Sequence, residues 1–389
     1  MAALWKKLVI FLVILIAILQ IIHMALLSRL ESIRSERKKR ARGVAEVFLN
    51  GERSMQFSEY TVTDIENDRK KMQDAVRDSS ILDSFGEYQI INHLIRAQVL
   101  GPRNFVRQDI SLVTQSSISQ LQNLPLLVKR WNGLVSVAVF ALTPDIPSAI
   151  EAILLLRRCY PLIRYNVSFH LVYPLRVPSP RVGSAIVVHT SPPTITDATS
   201  CENVEQMLET MDVSVLNYDH NGVPYPNNLL RNVARRNSLT EFVFVVDVDL
   251  VVSQNLRSEF LAFAKESQLF LDSHKNDKTV YVVPAFEVKL EMPDARIPTD
   301  KTALLEMLSM LEARPFYFEL CWKCQKHTDY ETWQRDPQAP HLAVMFEVLW
   351  RDPWEPFYIS RNDVPLYDER FRQYGFNRIS QVCRITVMG

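Results

Sequence analysis

The sequence is short of several things, and each shortage excludes a class of protein. Glycine supplies only 9 of 389 residues, which excludes a collagen-like or glycine-rich fibrous chain and leaves 21 prolines to fix turns. Lysine plus arginine and aspartate plus glutamate balance at 44 each, so there is no charge excess of the kind a nucleic-acid-binding face requires. No internal repeat and no low-complexity tract is visible, which argues against a solenoid. Cysteine is scarce and odd in number: Cys159, Cys201, Cys321, Cys324 and Cys383 leave at least one thiol unpaired in a monomer. The one CxxC, Cys321-Trp322-Lys323-Cys324, could be a redox pair, half a zinc site or two disulfide halves. His327 and His341 make no zinc spacing with it, and in an oxidising compartment structural disulfides are the expectation.

What is present begins with a hydrophobic run. Residues 8–27, LVIFLVILIAILQIIHMALL, are interrupted only by Gln20 and His23. At helical rise such a run covers about 30 Å, the hydrocarbon thickness of a bilayer. It is longer than the core of a cleaved signal peptide and is not followed by small residues, so a retained anchor is expected. Flanking charge points the other way from the rest. Lys6 and Lys7 precede the run, but Arg29, Arg34, Arg37, Lys38, Lys39, Arg40 and Arg42 follow it, and the positive-inside rule alone would put the C-terminal side in the cytosol. Asn166-Val167-Ser168, an acceptor for N-glycosylation at Asn166, argues for a lumen instead. The expected layout is a cytoplasmic tail (1–7), a transmembrane signal-anchor (8–27), a stem (28–110) and a globular domain (111–389). The stem reading rests on 31–71, which is charged and helix-prone and has no proline.

From about residue 111 apolar runs alternate with helical spacing. Residues 135–142 (VSVAVFAL), 167–173 (VSFHLVY), 213–216, 242–246 (FVFVV) and 280–283 are predicted strands. Helices are predicted over 144–158, 228–236 and 259–270. Strand–helix alternation with buried strands implies an α/β fold, a mostly parallel, Rossmann-like sheet flanked by helices.

Ligands in such sheets bind beyond the carboxyl ends of the strands. FVFVV ends in Asp247-Val248-Asp249. If the chain stays extended, both carboxylates point the same way and form a hard-oxygen site for Mg²⁺ or Mn²⁺, with a diphosphate supplying further oxygens. The competing reading is a turn, or a cap on a helix opening near 253–257.

Around this motif the order YPNNLLRNVAR (225–235), FVFVVDVDLVVS (242–253) and YVVPAFE (281–287) resembles glycosyltransferase family 49. RPFYFELCWKCQKHTDYETW (314–333), DPWEPFYIS (352–360) and VPLYDERFRQYGFNRISQVC (364–383) resemble the beta-1,4-glucuronyltransferases of that family. The resemblance implies a GT-A fold, UDP-glucuronic acid as donor, Mn²⁺ as cofactor, and a xylose-ended acceptor glycan on a glycoprotein, of the protein O-mannosyl, alpha-dystroglycan type. It also implies a single-pass type II Golgi membrane protein with its catalytic domain in the lumen, and a fellow Golgi glycosyltransferase as candidate partner. Asp247 and Asp249 match the metal motif, and Asn228, Arg231 and Asn232 would line the nucleotide beside Asp247. Inversion at the anomeric carbon needs a base. Its candidates are Glu355, Asp363, Asp368 and Glu369, with Asp368 first and Glu369 beside it. Trp350, Trp354, Phe357 and Tyr358 are either a sugar-stacking cluster or core. Members of the family continue past NRISQ and carry a later histidine ligand for the metal, whereas the last histidine here is His341. The alternative expectation is therefore a catalytically impaired paralogue that binds a glycan or partner.

Overall fold

A computed structural model describes residues 58–98, 107–176, 192–211, 223–289, 297–336, 339, 341–373 and 375–388. The predicted anchor at 8–27, the beginning of the stem and the strand at 213–216 lie outside these residues. All but Lys289 fall within one compact unit, 55–288 with 297–389. Among the described residues no helix is long and apolar enough to cross a membrane.

In chain order the first half contains α1 (Val62–Asp78), β1 (Ile81–Leu82), β2 (Tyr88–Ile95), β3 (Ile110–Ser117), α2 (Leu124–Trp131), β4 (Val135–Phe140), α3 (Ile146–Cys159), α4 (Pro161–Asn166) and β5 (Val167–Pro174). The second half contains α5 (Val204–Met211), α6 (Asn227–Arg236), β6 (Phe242–Val245), α7 (Leu256–Glu266), β7 (Tyr281–Val283), β8 (Phe286–Val288) and α8 (Lys301–Ser309). It closes with β9 (Ala313–Pro315), α9 (Trp322–Gln325), α10 (Tyr330–Arg335), β10 (Phe357–Arg361) and α11 (Ile379–Met388).

Eight strands form the main sheet in the order β1-β2-β5-β4-β3-β6-β10-β7. The four central strands β5, β4, β3 and β6 run parallel. Both margins are antiparallel: β2 on β5, β10 on β6 and β7 on β10. The α/β reading holds for the centre of the sheet. The edge strand β7 coincides with the strand expected at 280–283, whereas β2, β3 and β10 were not among the expected strands; for β2 and β10, antiparallel neighbours need no crossover helix and leave no strand–helix period to read.

Every residue of β4 is buried, so its apolar run serves two faces at once. Val137 and Val139 pack with Leu127 and Val128 of α2 and with Ile150, Ile153 and Leu154 of α3. Ala138 and Phe140 pack on the opposite face with Leu230, Val233 and Ala234 of α6. Each fully buried aliphatic side chain contributes about 1.5–3 kcal/mol before entropy is counted. α3 starts with proline in its first turn, where the lost N–H costs nothing. Tyr358 of β10 points away from Phe357 and Ile359 and packs with Val382 and Ile385 of α11, so α11 lies on the same face as α6.

Residues 62–95, expected in the stem, supply α1, β1 and β2, and β2 is an integral strand beside β5. The charge of α1 disguised this. Only Ile65, Met72 and Asp68 of that helix are buried, and Asp68 can be buried because Arg157 and the Tyr60 hydroxyl meet it at 3.1 and 2.6 Å.

Candidate active site

Side-chain alternation along β6 delivers the site. Phe242 and Phe244 enter the core beneath α3 and α7, whereas Val243 and Val245 face α6. Asp247 continues the parity of Val243 and Val245. It stands level with Gln115 of β3, because Val245 pairs with Val113. Asp247 Oδ1 accepts from Gln115 Nε2 at 3.3 Å and from Arg231 Nη2 at 3.0 Å. Its Oδ2 accepts from Arg378 Nη2 at 2.6 Å. Arg231 comes from α6 and Arg378 from the residue before α11, the two helices on this face. The Arg378 guanidinium lies 4.1 Å from the centre of the Phe357 ring. Tyr225 donates to Gln115 Oε1 and so orients the amide.

Burial pushes the Asp247 carboxyl up, but Arg378 and then Arg231 outweigh it, with hydrogen bonds from Arg231 and Gln115, and hold it well below the usual carboxylate range. Asp247 is therefore an anion at any physiological pH. It nevertheless keeps 30% of its side chain exposed, so the cluster opens to solvent on one side.

Asp249 reaches the site by a different route from the one expected. β6 stops at Val245, and the chain turns over Val248 and Asp249, closed by Leu250 N–H donating to the Asp247 carbonyl at 3.1 Å. The strand parity that was to aim both carboxylates alike ends before Asp249. The turn instead leaves Asp249 exposed next to Asp247. The crowding protein strips its hydration and raises its pKa, and the Asp247 charge raises it further. Neither aspartate caps a helix, since α7 begins at Leu256 behind Asn255.

The other predicted residues take varied places. Asn228 and Asn232 are fully buried. Asn228 donates to the carbonyls of Asp368 and Asn377 at 2.8 and 3.2 Å. Asn232 exchanges bonds with the Tyr367 main chain and donates to Glu369 at 2.8 Å. Their work is to fasten the 367–377 segment, which carries Arg378, onto α6. Asp368 is chelated by Arg370, whose hydrogen bonds hold its carboxyl below the usual range, and Glu369 is taken by Asn232 and by Arg236 at 3.3 Å. Among the described residues neither carboxylate contacts Asp247, Arg231 or Arg378, and Asp363 is exposed. Trp354, Phe357 and Tyr358 are buried, which makes them core, while Trp350 is half-buried and donates to the Trp354 carbonyl. Asn166 ends α4, half-buried, and the Ser168 hydroxyl accepts from Ala97 N–H at 3.1 Å. Disulfides join Cys159 to Cys201 and Cys321 to Cys324, and Cys383 is free. Gln115 and Arg378 were missed as site residues. Arg378 sat inside a quoted motif, but nothing local marked it as the partner of an aspartate 131 positions earlier.

The residue types fit a hard divalent cation such as Mn²⁺ or Mg²⁺. Asp249 is open, and among the described residues only Arg378 bonds to Asp247 Oδ2, which leaves one of its lone-pair directions. Among the described residues no group of three His, Cys, Asp or Glu side chains forms, so His341, itself exposed, does not join the aspartates. Water and a donor diphosphate would have to complete the coordination.

Comparisons with known proteins give the family. A family model described as "Glycosyl-transferase for dystroglycan" matches residues 109–389. Beta-1,4-glucuronyltransferase 1 of Mus musculus is 35% identical over 328 residues, which is 82% of this chain and 72% of that protein. The Danio rerio protein of the same name is 31% identical over 402 residues, 98% of this chain and 85% of its own. A xylosyl- and glucuronyltransferase LARGE2s of Danio rerio is 28% identical over 280 residues, 71% of this chain and 29% of its own. The chain belongs to glycosyltransferase family 49 and is a beta-1,4-glucuronyltransferase-like enzyme.

Proposed function

We propose that this enzyme transfers glucuronic acid from UDP-glucuronic acid to a xylose-ended glycan on a glycoprotein, with inversion, in the Golgi lumen. The observation that carries the reading is the Arg231–Asp247–Arg378 cluster, open at one side, at the carboxyl end of a parallel strand. Two guanidiniums beside a single paired carboxylate leave positive charge for a diphosphate, and guanidinium geometry suits phosphate oxygens. Asp247 and Asp249 would hold Mn²⁺, whose positive charge counters the negative charge developing on the departing UDP. Asp247 also keeps both arginines from drifting, so the donor meets preorganised groups. Two disulfides and the Asn166 sequon support an oxidising compartment. Residues 8–27 are the anchor in this reading.

The test is product formation by the purified luminal part on a xylose-ended acceptor, followed by mass spectrometry with UDP-glucuronic acid, UDP-xylose and UDP-N-acetylglucosamine in parallel. Glucuronic acid transfer that depends on added Mn²⁺ is the expected result. Preference for another donor would overturn the donor assignment. One observation favours the impaired-paralogue alternative: Arg378 already holds Asp247 Oδ2. Donor binding with no turnover, unaffected by metal, would decide for it.

A further inference from the structure

We propose that Tyr225 and Gln115 are positioning residues for the transfer and act on it through Asp247. This rests on the Asp247 cluster being the donor site, and it assigns the groups that fix the plane of that carboxylate.

Gln115 is placed by side-chain parity inside β3. Val113, two residues before it, packs with Val245 and with the α6 side chains, so Gln115 stands on that same face near the carboxyl end of the strand. An amide can be turned either way, and here its two neighbours decide the direction. The Asp247 carboxylate can only accept, so the nitrogen of Gln115 faces Oδ1, at 3.3 Å. The amide oxygen is thereby turned to Tyr225, whose phenol donates to it. Oδ1 then has two donors, the Gln115 amide and Arg231 Nη2, which occupy its two lone-pair directions. Oδ2 meets Arg378 alone among the described residues, so it is the oxygen left for a cation.

Tyr225 is itself held from three sides. Its ring meets Phe140 of β4 edge-on, with centres 5.4 Å apart. Tyr88 of β2 donates to the carbonyl of Pro224, one residue earlier, at 2.8 Å. The Tyr225 carbonyl accepts from Gln373 N–H at 3.0 Å, and Asn227 Nδ2 donates to the Gln373 carbonyl at 2.7 Å. Gln373 lies five residues before Arg378 in the segment that delivers that guanidinium. Tyr225 thus links the amide on Oδ1 to the chain that brings Arg378 to Oδ2.

Without the phenol, the amide loses the partner that fixes its direction. Without the amide, the carboxylate is free to rotate toward one guanidinium, and Oδ2 is no longer held in place. Groups that orient a metal ligand in this way change metal affinity or activity by about 10–100-fold when removed.

The test is a double-mutant cycle on the full-length chain in detergent. Its readout is Mn²⁺ affinity in the presence of UDP, from electron paramagnetic resonance of the free ion, with kcat measured in parallel. Gln115→Met keeps the length of the side chain, removes both polar atoms, and should weaken Mn²⁺ binding about 10–100-fold. Tyr225→Phe keeps the ring on Phe140 and should weaken it about threefold to tenfold, the share of one hydrogen bond. The double variant Y225F/Q115M should match Q115M within about twofold, because the phenol has nothing left to act through. Losses that multiply in the double variant, or Mn²⁺ binding by Q115M within about twofold of the parent, would overturn the relay. Melting curves accompany each variant. If Q115M melts early, Y225F decides by itself, since it deletes one hydroxyl and no packing, and parental Mn²⁺ affinity in Y225F would overturn the relay. A parent chain that binds neither Mn²⁺ nor UDP-glucuronic acid would overturn the donor site itself, whereas intact binding by the parent with multiplying losses sinks only the relay.

Discussion

Two buried ion-pair clusters in this protein contain similar residues and are built for different ends. Between α1 and α3, Asp68 receives Arg157 at 3.1 Å and the Tyr60 hydroxyl at 2.6 Å, with Arg157 only 1% exposed. Burial, and then the hydrogen bond to Asp68, push the Tyr60 phenol well above its ordinary value, so the group stays a neutral donor. At the exit of β6, Asp247 also receives guanidiniums, but it is 30% exposed and has Asp249 in the open beside it. The closed cluster pins α1 to α3. The open one holds charges that are only partly answered by protein. What separates function from architecture here is the part of the cluster left unanswered, since paired charges alone occur in both.

The largest effect should come from neutralising each acid. Asp247→Asn should lower transfer by at least about 10²-fold. Asp68→Asn should lower stability by about 3 kcal/mol, because it leaves Arg157 buried without its counter-ion, while the folded fraction keeps its kcat. Urea unfolding and initial rates on both variants check the contrast. Equal losses of activity would erase the distinction between the clusters.

A smaller difference should separate the arginines. Arg378→Gln should weaken UDP-glucuronic acid binding about tenfold, or about 1.4 kcal/mol, and Arg157→Gln should leave it unchanged in calorimetry. Weakening by both, or by neither, would mean that the open cluster does not grip the donor.

The smallest effects are in pH. His93 and His170 pack at a tilt of 59° with ring centres 4.9 Å apart. His93 is lowered to about 4 by burial and then by Arg96, and His170 well below its ordinary value by burial and then by His93. Unfolded histidine titrates near about 6.5. Stability from this pair should therefore be complete above about pH 6.5 and decline toward pH 4, as the unfolded chain binds protons that the folded state refuses. The depressed Asp247 carboxyl acts lower: its share is complete above about pH 4, the unfolded carboxylate value, and is lost as pH falls further. Melting temperatures between pH 8 and pH 3 should show two separate declines, and Asp247→Asn should remove part of the lower one alone.

The α/β centre was legible because FVFVV, VSVAVFAL and the helix at 228–236 each express one period strongly. The DVD motif was legible because an acid pair right after five apolar residues is chemically conspicuous. Legibility stopped where local pattern and tertiary partner part company. The buried residues of α1 are too few to stand out of a charged helix, so its packing on the rest of the fold was not legible. The turn after Val245 could not be distinguished from a longer strand, so the common aim of the two aspartates was inferred from the wrong geometry. Gln115 and Arg378 lie 132 and 131 positions from Asp247, and no local spacing records such a meeting. Asp-Glu-Arg at 368–370 offers its own guanidinium to Asp368, a local pairing that the sequence does record.

The most direct measurement is hydrogen exchange with and without UDP-glucuronic acid and Mn²⁺. Bound donor should slow exchange at 246–250 and 375–380, the two segments that meet at Asp247. Protection absent from both, or confined to the groove between α1 and α3 lined by Gln73, Val76, Ile150 and Glu151, would contradict a donor site at the end of β6.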